Sequence, residues 1–156
     1  MPVTIREGTQ EDFPALLGLI RELAVFEHAA GDVKNSVGLM KRQKELFRFF
    51  VAEEEGKVVG AAVYFIAYYT WVGKSLYLDD LYVKPEFRRR KVGSLLLRRV
   101  FEVARRERCQ RLRLQVLDWN KGAIDFYRRC GGSISDEWLN CDFDAGRIER
   151  FLERPR

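Results

Sequence analysis

The sequence predicts one α/β domain built on a mixed sheet, and three observations predict it. Its 156 residues are about one domain's length. Segments of alternating apolar residues interleave with segments of helical spacing, in the order βααβββαβαβ(β). No internal repeat or low-complexity linker interrupts the chain, so a single domain is expected over 1–156.

Each element has its own signal. "PVTIREG" alternates and reads as a strand. In "TQEDFPALLGLIRELAVFE", Phe13, Leu16, Leu17, Ile20, Leu23 and Ala24 recur at helical spacing. Thr9 with Asp12 resembles a capping box with Asp in the third place. "DVKNSVGLMKRQKELF" is a weaker second helix, and "FFVAEEEGKVVGAAVYFIAYYT" reads as two strands joined at Glu55-Gly56. "SLYLDDLYVKP" is a strand stopped by Pro85. Residues 95–108 carry apolar Leu96, Leu97, Val100, Val103 and Ala104, the pattern of an amphipathic helix. "RLRLQVL" is a strand, and "NKGAIDFYRRC" a short helix capped by Asn120. "GGSISDEWLNCDF" supplies one or two last strands, and "DAGRIERFLE" a terminal turn or helix.

Composition narrows the class. A hydrophobic share of 47% and an aromatic share of 13% support a real core. No apolar run approaches the roughly 18 residues of a membrane span, and "MPVTIREGTQEDF" has no apolar signal core. A soluble cytoplasmic protein, with no membrane partner, is the expectation. Cys109, Cys130 and Cys141 with His28 make no zinc set, so no metal is expected and the thiols are buried or idle. The net charge is +5, but residues 84–113 alone hold 12 Lys/Arg against 3 Asp/Glu, a local +9 that leaves −4 elsewhere. That imbalance favours a local anion site over a generally basic surface.

The basic district centres on "PEFRRRKVGS". A helix N-terminus carries unpaired N–H groups and about half a positive charge, so phosphates bind there readily. Here a strand, a Pro-terminated turn, four adjacent cations, Gly93 and a helix arrive in order. Local features alone leave a solvated charge run equally open.

Beyond this point the chain resembles a known superfamily. "LYVKPEFRRRKVGSLLL" resembles the acetyl-coenzyme A motif of the Gcn5-related N-acetyltransferases, and "VLDWNKGAIDFYRRCGG" the segment that follows it there. "IREGTQEDFPALLGLIRELAVFE" and "YYTWVGKSLYLDDLYV" are similar to one branch, the spermidine/spermine (diamine) acetyltransferases and their thialysine-acetylating relatives. Phe26-Glu27, "WVGK" and Glu137-Trp138 point to that branch. The resemblance covers almost the whole chain. It implies a mixed, mostly antiparallel sheet flanked by helices, acetyl-CoA as co-substrate and a homodimer. It also implies that the N–H groups of residues 89–94 wrap the pyrophosphate. The side chains of Arg88, Arg89, Arg90 and Lys91 would then supply a long-range field, with Val92, Gly93 and Ser94 opening the helix. The superfamily loop has the form Arg/Gln-x-x-Gly-x-Gly/Ala, and Lys91 stands where its middle glycine would be. If the loop needs positive φ there, lysine costs roughly 1 kcal/mol.

Acetyl transfer to an amine needs a deprotonated nucleophile, a polarised thioester carbonyl and a protonated leaving thiolate. A phenol of pKa about 10 can protonate a thiolate whose conjugate acid lies near 8.5. The resemblance gives that role to Tyr127, two helical turns from Asn120, and borders the cofactor with Asn120, Lys121, Gly122 and Ala123. For deprotonation the candidates are the adjacent Asp79 and Asp80, costly if buried without purpose. Successive strand residues face opposite ways unless a bulge intervenes, so one of the two is expected to meet the amine. Related enzymes carry a glutamate at the Asp79 position, which implies deprotonation by Asp79 through a water, or a role shared with Glu27. The backbone of Leu81, Tyr82 and Val83 would hold the pantetheine and polarise the carbonyl.

By the same resemblance Phe26, Glu27, Asp79, Asp80, Arg113, Leu114, Gln115 and Glu137 line the substrate. Arg113 would repel a polyamine and suits an amine that carries a carboxylate, so both small-amine classes stay open. Two rivals remain. One is a nucleic-acid-binding module using the basic district, which a salt-sensitive gel shift would favour; the acetyltransferase reading expects no nucleic acid. The other is a degenerate acetyl-CoA-binding domain, suggested by Lys91, which turnover of any amine would exclude.

Overall fold

A computed structural model describes residues 2–156. The chain forms two compact units, Met1–Gln115 and Val116–Arg156. The first unit holds the sheet. Strand β1 (Thr4–Glu7) leads through a single 3-10 turn into helix α1 (Phe13–Phe26), and helix α2 (Val37–Arg42) follows. Then come β2 (Arg48–Glu54), β3 (Lys57–Tyr69), β4 (Gly73–Val83), helix α3 (Val92–Arg106) and β5 (Leu112–Arg113). The strands lie side by side in chain order, antiparallel except for the parallel β4–β5 pair. The result is the mixed, mostly antiparallel sheet flanked by helices that the resemblance implies.

The two faces are covered by different helices. Phe13, Leu16, Leu17 and Leu19 of α1 bury with Met40 against Phe49, Val51, Ala61, Val63 and Tyr82 of the strands. On the other face α3 buries Leu96, Leu97, Val100 and Val103. Its Arg99 lays a guanidinium 4.7 Å from the centre of the Phe50 ring, and Phe50 stacks on Tyr64 at 5.8 Å. The β2–β3 turn falls where the sequence predicts it. Glu55 and Gly56 take φ of 51° and 76°, the pair of left-handed residues that a two-residue hairpin needs.

The entry to α1 is tied down electrostatically. Thr9 N–H donates to Asp12 Oδ2 at 2.8 Å, the backbone half of the predicted capping box. Arg6 donates to both oxygens of Asp12 at 2.8 Å and to Glu53 of β2. That fork joins β1, the helix entry and β2 through one guanidinium.

Three sequence expectations change. The helix after the basic run starts at Val92, earlier than the apolar pattern suggests. "RLRLQVL" pairs over Leu112 and Arg113 only. Among the described residues, 133–144 form no strand. Trp138, Leu139 and Phe143 in that segment are exposed. Their strand propensity has no effect without a partner strand to complete a ladder.

The second unit contains helices α4 (Lys121–Arg129) and α5 (Ala145–Leu152). Each begins at a side-chain cap: Asn120 Oδ1 accepts from Ala123 N–H at 3.2 Å, and Asp144 Oδ1 from Arg147 N–H at 2.8 Å. α4 ends where Gly131 turns left-handed at φ 93° and Gly132 N–H donates to Tyr127 O at 2.9 Å. Among the described residues no helix is long and apolar enough to cross a membrane.

Candidate active site

The site starts with a defect in the β3–β4 ladder. Val63 pairs with Asp80, but Tyr64 pairs with Leu78, so Asp79 is the extra residue of a bulge. Tyr77 pairs with Phe65 and stacks on it at 5.2 Å. The two-residue period then puts Asp79 on the same face as Tyr77. Asp80 shares its face with Val63, which belongs to the core beneath α1. The bulge therefore presents both carboxylates to the α1 side, where the sequence reading expected only one.

A third acid joins them. α1 ends at Phe26, and Glu27 N–H closes the helix on Leu23 O at 2.9 Å. Burial pushes the Glu27 and Asp79 carboxyls above their ordinary range. Asp80 is pushed furthest, to about 7, first by burial and then by the negative charges of Asp79 and Glu27. The negative charges of Asp79 and Glu27 thus disfavour a further charge on Asp80. A helix C-terminus beside them adds partial negative charge. The arrangement suits a cation.

Beside the acids β4 loses a neighbour. Among the described residues, β5 pairs only with Leu76 and Tyr77, so β4 from Leu78 onward is bonded on its β3 side alone. Lys84 N–H donates to Val59 O of β3 at 2.9 Å. By alternation, the N–H groups of Val83 and Leu81 point away from β3, into the gap, while Tyr82 N–H points back to β3. The Tyr82 side chain joins the core under α1, its hydroxyl 3.2 Å from Glu22 Oε1. Lys84 Nζ donates to the other oxygen of Glu22 at 2.6 Å.

The basic run divides into two kinds of residue. Arg88 turns inward: its Nε donates to Val83 O at 3.0 Å, and its guanidinium lies 5.5 Å from the Tyr82 ring centre and 5.9 Å from that of Phe26. Arg90 pairs with Glu54 of β2 and holds that carboxyl below its usual range. Arg89 and Lys91 take left-handed backbone at φ 63° and 61°. Lys91 is the N-cap of α3 and makes no side-chain cap bond. Leu95 N–H already reaches Lys91 O, which leaves the N–H groups of Val92, Gly93 and Ser94 at the helix mouth without intrahelical acceptors.

On the far side of the acids, Arg113 pairs with Tyr77 across the β4–β5 ladder. Its guanidinium carbon lies 5.2 Å from the centre of the Tyr69 ring. Leu114 and Gln115 follow just past the last paired residue. Sequence reasoning missed Tyr69, Tyr77 and Arg111. The first two were legible only once the register was known, and Arg111 was one arginine among many.

Within the second unit, Asn120, Lys121, Gly122, Ala123 and Tyr127 belong to α4 or its cap. Tyr127 is half-buried, and its ring meets Phe126 edge-on at 5.2 Å. Glu137 lies outside α4, in the segment without regular structure, and its N–H donates to Ser135 Oγ at 3.4 Å.

Known proteins resemble this chain. Residues 9–132 match the family model for the acetyltransferase (GNAT) family. The thialysine N-epsilon-acetyltransferase of Bos taurus is 40% identical over 141 residues, 83% of either chain. That of Sus scrofa is 38% identical and covers 92% of this chain and 93% of its own. An integron cassette protein from the mobile metagenome of V. cholerae superposes with a TM-score of 0.78 at 23% identity, covering 99% of each chain; that likeness shows a shared fold.

Proposed function

Because the chain belongs to the acetyltransferase (GNAT) family, we propose that it moves an acetyl group from acetyl-CoA to the primary amine of a small diamine, polyamine or thialysine-like amino acid. The observation that carries this reading is the pair Asp79 and Asp80 on one face of β4, with Glu27 of the α1 C-terminus close enough to act on Asp80, next to a strand edge that has no partner among the described residues and a helix mouth with bare amides. The thialysine N-epsilon-acetyltransferases it resembles support the small-amine class.

The residues fit the cofactor's chemistry. A diphosphate suits the α3 mouth, where the N–H groups of Val92, Gly93 and Ser94 need acceptors. Arg89 and Lys91 carry their charge beside it, while Arg90 is offset by Glu54. Leu81 and Val83 turn their N–H groups into the β4 gap, as an extended amide-bearing arm requires. Acetyl-CoA supplies the activated acyl group when bound.

This chain's own groups then manage protons. An alkylammonium near pKa 10 must lose its proton before it can attack. Asp79 takes it through a water, and Asp80, half-ionised near pH 7, is suited to hold it. Phe26 and Glu27 flank the amine from the end of α1. Tyr127 protonates the departing sulfur, the role that its resemblance to the family segment gives it, with Asn120, Lys121, Gly122 and Ala123 along the cofactor. Leu114, Gln115 and Glu137 belong to the substrate lining on the same ground. The whole chain is proposed to act as one acetyltransferase domain, as a cytoplasmic homodimer. The nucleic-acid reading loses support, because Arg88, Arg90 and Arg99 are engaged with Val83 O, Glu54 and Ile5 O.

The test is thiol release from acetyl-CoA against a panel of primary amines: diamines, polyamines and lysine-like amino acids. Saturable turnover of one class is expected. Cofactor binding without turnover of any amine would leave a cofactor-binding domain instead.

A further inference from the structure

Arg88 opens the basic run, yet its side chain turns to a backbone carbonyl and two rings. Its Nε donates to Val83 O at 3.0 Å. In an extended strand a residue's N–H and C=O point the same way, so this bond lies in the gap beside β4, on the side of Val83 N–H. The guanidinium carbon is 5.5 Å from the centre of the Tyr82 ring and 5.9 Å from that of Phe26, within cation–π range of both. Among the described residues Arg88 forms no ion pair with a carboxylate, whereas Arg90 pairs with Glu54.

The two rings are held with different firmness. Tyr82 is buried, and its hydroxyl donates to Glu22 Oε1 at 3.2 Å while Lys84 Nζ donates to the other oxygen at 2.6 Å. Phe26 ends α1, and no residue of that helix after Ala24 is buried. Val25 is 63% exposed and Phe26 43%. A last turn with few buried contacts is the part of a helix that opens most readily. Glu27 follows directly, and its charge bears on Asp80. Arg88 thus joins a fixed ring to a loosely packed one, and the end of β4 to the end of α1.

We propose that Arg88 is a positioning residue for the amine: by holding Phe26 to Tyr82 and Val83 O, it fixes the place of Glu27 relative to Asp79 and Asp80. It acts through Phe26 and Glu27 rather than through the cofactor's phosphates. The proposal rests on the acetyltransferase reading and deepens it, since a residue of the turn before α3 then governs the amine end of the site. Side-chain chemistry separates the two roles. Glutamine carries Nε2 at the same chain position as arginine Nε, so it keeps a donor for Val83 O but loses the charge. Methionine keeps the length and has no donor. Lysine keeps the charge, but its ammonium lies one atom further out and has no plane to lay over a ring.

The experiment measures KM for cadaverine and L-lysine, and the Kd of coenzyme A by calorimetry, in the wild type and in Arg88→Met, Arg88→Gln and Arg88→Lys. Arg88→Met raises the amine KM ~10-fold, the scale of one hydrogen bond lost together with an exposed cation–π contact. The Kd of coenzyme A stays within about 2-fold of the wild type at physiological salt, where distant charges are screened. Arg88→Gln recovers part of the loss in KM, and Arg88→Lys recovers less. An amine KM in Arg88→Met equal to that of the wild type overturns the proposal. So does a coenzyme A Kd that weakens in Arg88→Met and Arg88→Gln and is restored in Arg88→Lys, the pattern of a phosphate ligand. Should Arg88→Met fail to fold, a KM closer to the wild type in Arg88→Gln than in Arg88→Lys supports the proposal, and the reverse order overturns it. If the wild type acetylates neither amine, the acetyltransferase reading is what fails. Calorimetric titration of cadaverine with coenzyme A present then decides the proposal: a Kd weakened in Arg88→Met and partly restored in Arg88→Gln supports it, and an unchanged Kd or no binding to the wild type overturns it.

Discussion

Asp79 and Asp80 are adjacent in the sequence yet serve the same face of the sheet, because Asp80 pairs with Val63 while Asp79 has no partner in β3. A regular strand would have sent one of them to the α3 side. The bulge converts two acids on opposite faces into neighbours, and Asp80, already pushed up by burial, is pushed further by the charges of Asp79 and Glu27.

The first prediction concerns the acid side of the pH profile. Asp80 titrates at about 7, so kcat/KM for the amine is expected to rise with pH through that value. Asp80→Asn removes both a proton acceptor and a charge that opposes ionisation of Asp79. Turnover should fall ~10²-fold, the usual scale for loss of a proton-transfer group, and the remaining limb should move to lower pH. An unchanged limb in the variant would assign the titration to another group.

Stability should respond in the opposite sense. The folded-state pKa of Asp80 is raised from 3.8 to about 7. Below pH 4 the carboxyl is protonated in both folded and unfolded chains and has no effect. Between about 4 and 7 only the unfolded chain ionises, so stability declines as pH rises, and above 7 the loss is complete. Asp80→Asn escapes that loss. The variant should be more stable than the wild type at pH 8, by on the order of 2 kcal/mol, with the gap closing toward pH 4. Urea titrations at the two pH values measure it.

Tyr127→Phe keeps the ring and removes the proton. If Tyr127 is the general acid, turnover falls about 10²-fold or more, while acetyl-CoA still protects the protein against thermal unfolding. Turnover equal to the wild type would remove Tyr127 from the mechanism. Loss of cofactor protection would give it a binding role instead.

Local signals made most of the first unit legible. The apolar stripe of α1, the Glu55-Gly56 turn and the strand stopped by Pro85 depend on neighbours in the chain. What escaped depends on distant partners. The bulge at Asp79 is a property of the register with β3, and adjacent aspartates carry no sign of it. Arg90 could not be seen to spend its charge on Glu54, which is 36 residues away. The strands expected in 133–144 had apolar letters but no partner to form a ladder with. The site's acids were legible as residue types, while their shared face and mutual influence were not.

Asp12 tests the frame that holds α1 in position. Its side chain is 9% exposed and accepts from Arg6 and from Thr9 N–H. The Arg6 guanidinium holds the carboxyl below the usual range. A depressed carboxylate adds stability that is fully present above its unfolded pKa and is lost as pH falls through the folded value. Asp12→Asn should therefore cost about 2–3 kcal/mol at pH 7, because Arg6 and Glu53 keep only part of the network. The difference from the wild type should shrink below pH 4. A variant as stable as the wild type at pH 7 would show that the fork contributes nothing net.

Lys91 stands where the middle glycine of the family's loop pattern would be, and its φ of 61° is a conformation that glycine adopts without strain. A side chain in left-handed backbone costs roughly 1–2 kcal/mol, partly offset because glycine loses more entropy on folding. Lys91→Gly should thus stabilise the protein by roughly 0.5–1 kcal/mol, seen as a higher urea midpoint at constant slope. Cofactor affinity separates the two contributions of this residue. If the N–H groups of 92–94 do the binding, the glycine variant holds acetyl-CoA as tightly as the wild type or more so, with a weaker dependence on salt. If the lysine charge is what matters, affinity falls several-fold at low salt and the two proteins converge at high salt. Stability that drops on going to glycine would contradict the strain argument itself, since the Lys91 side chain makes no cap bond that could be lost.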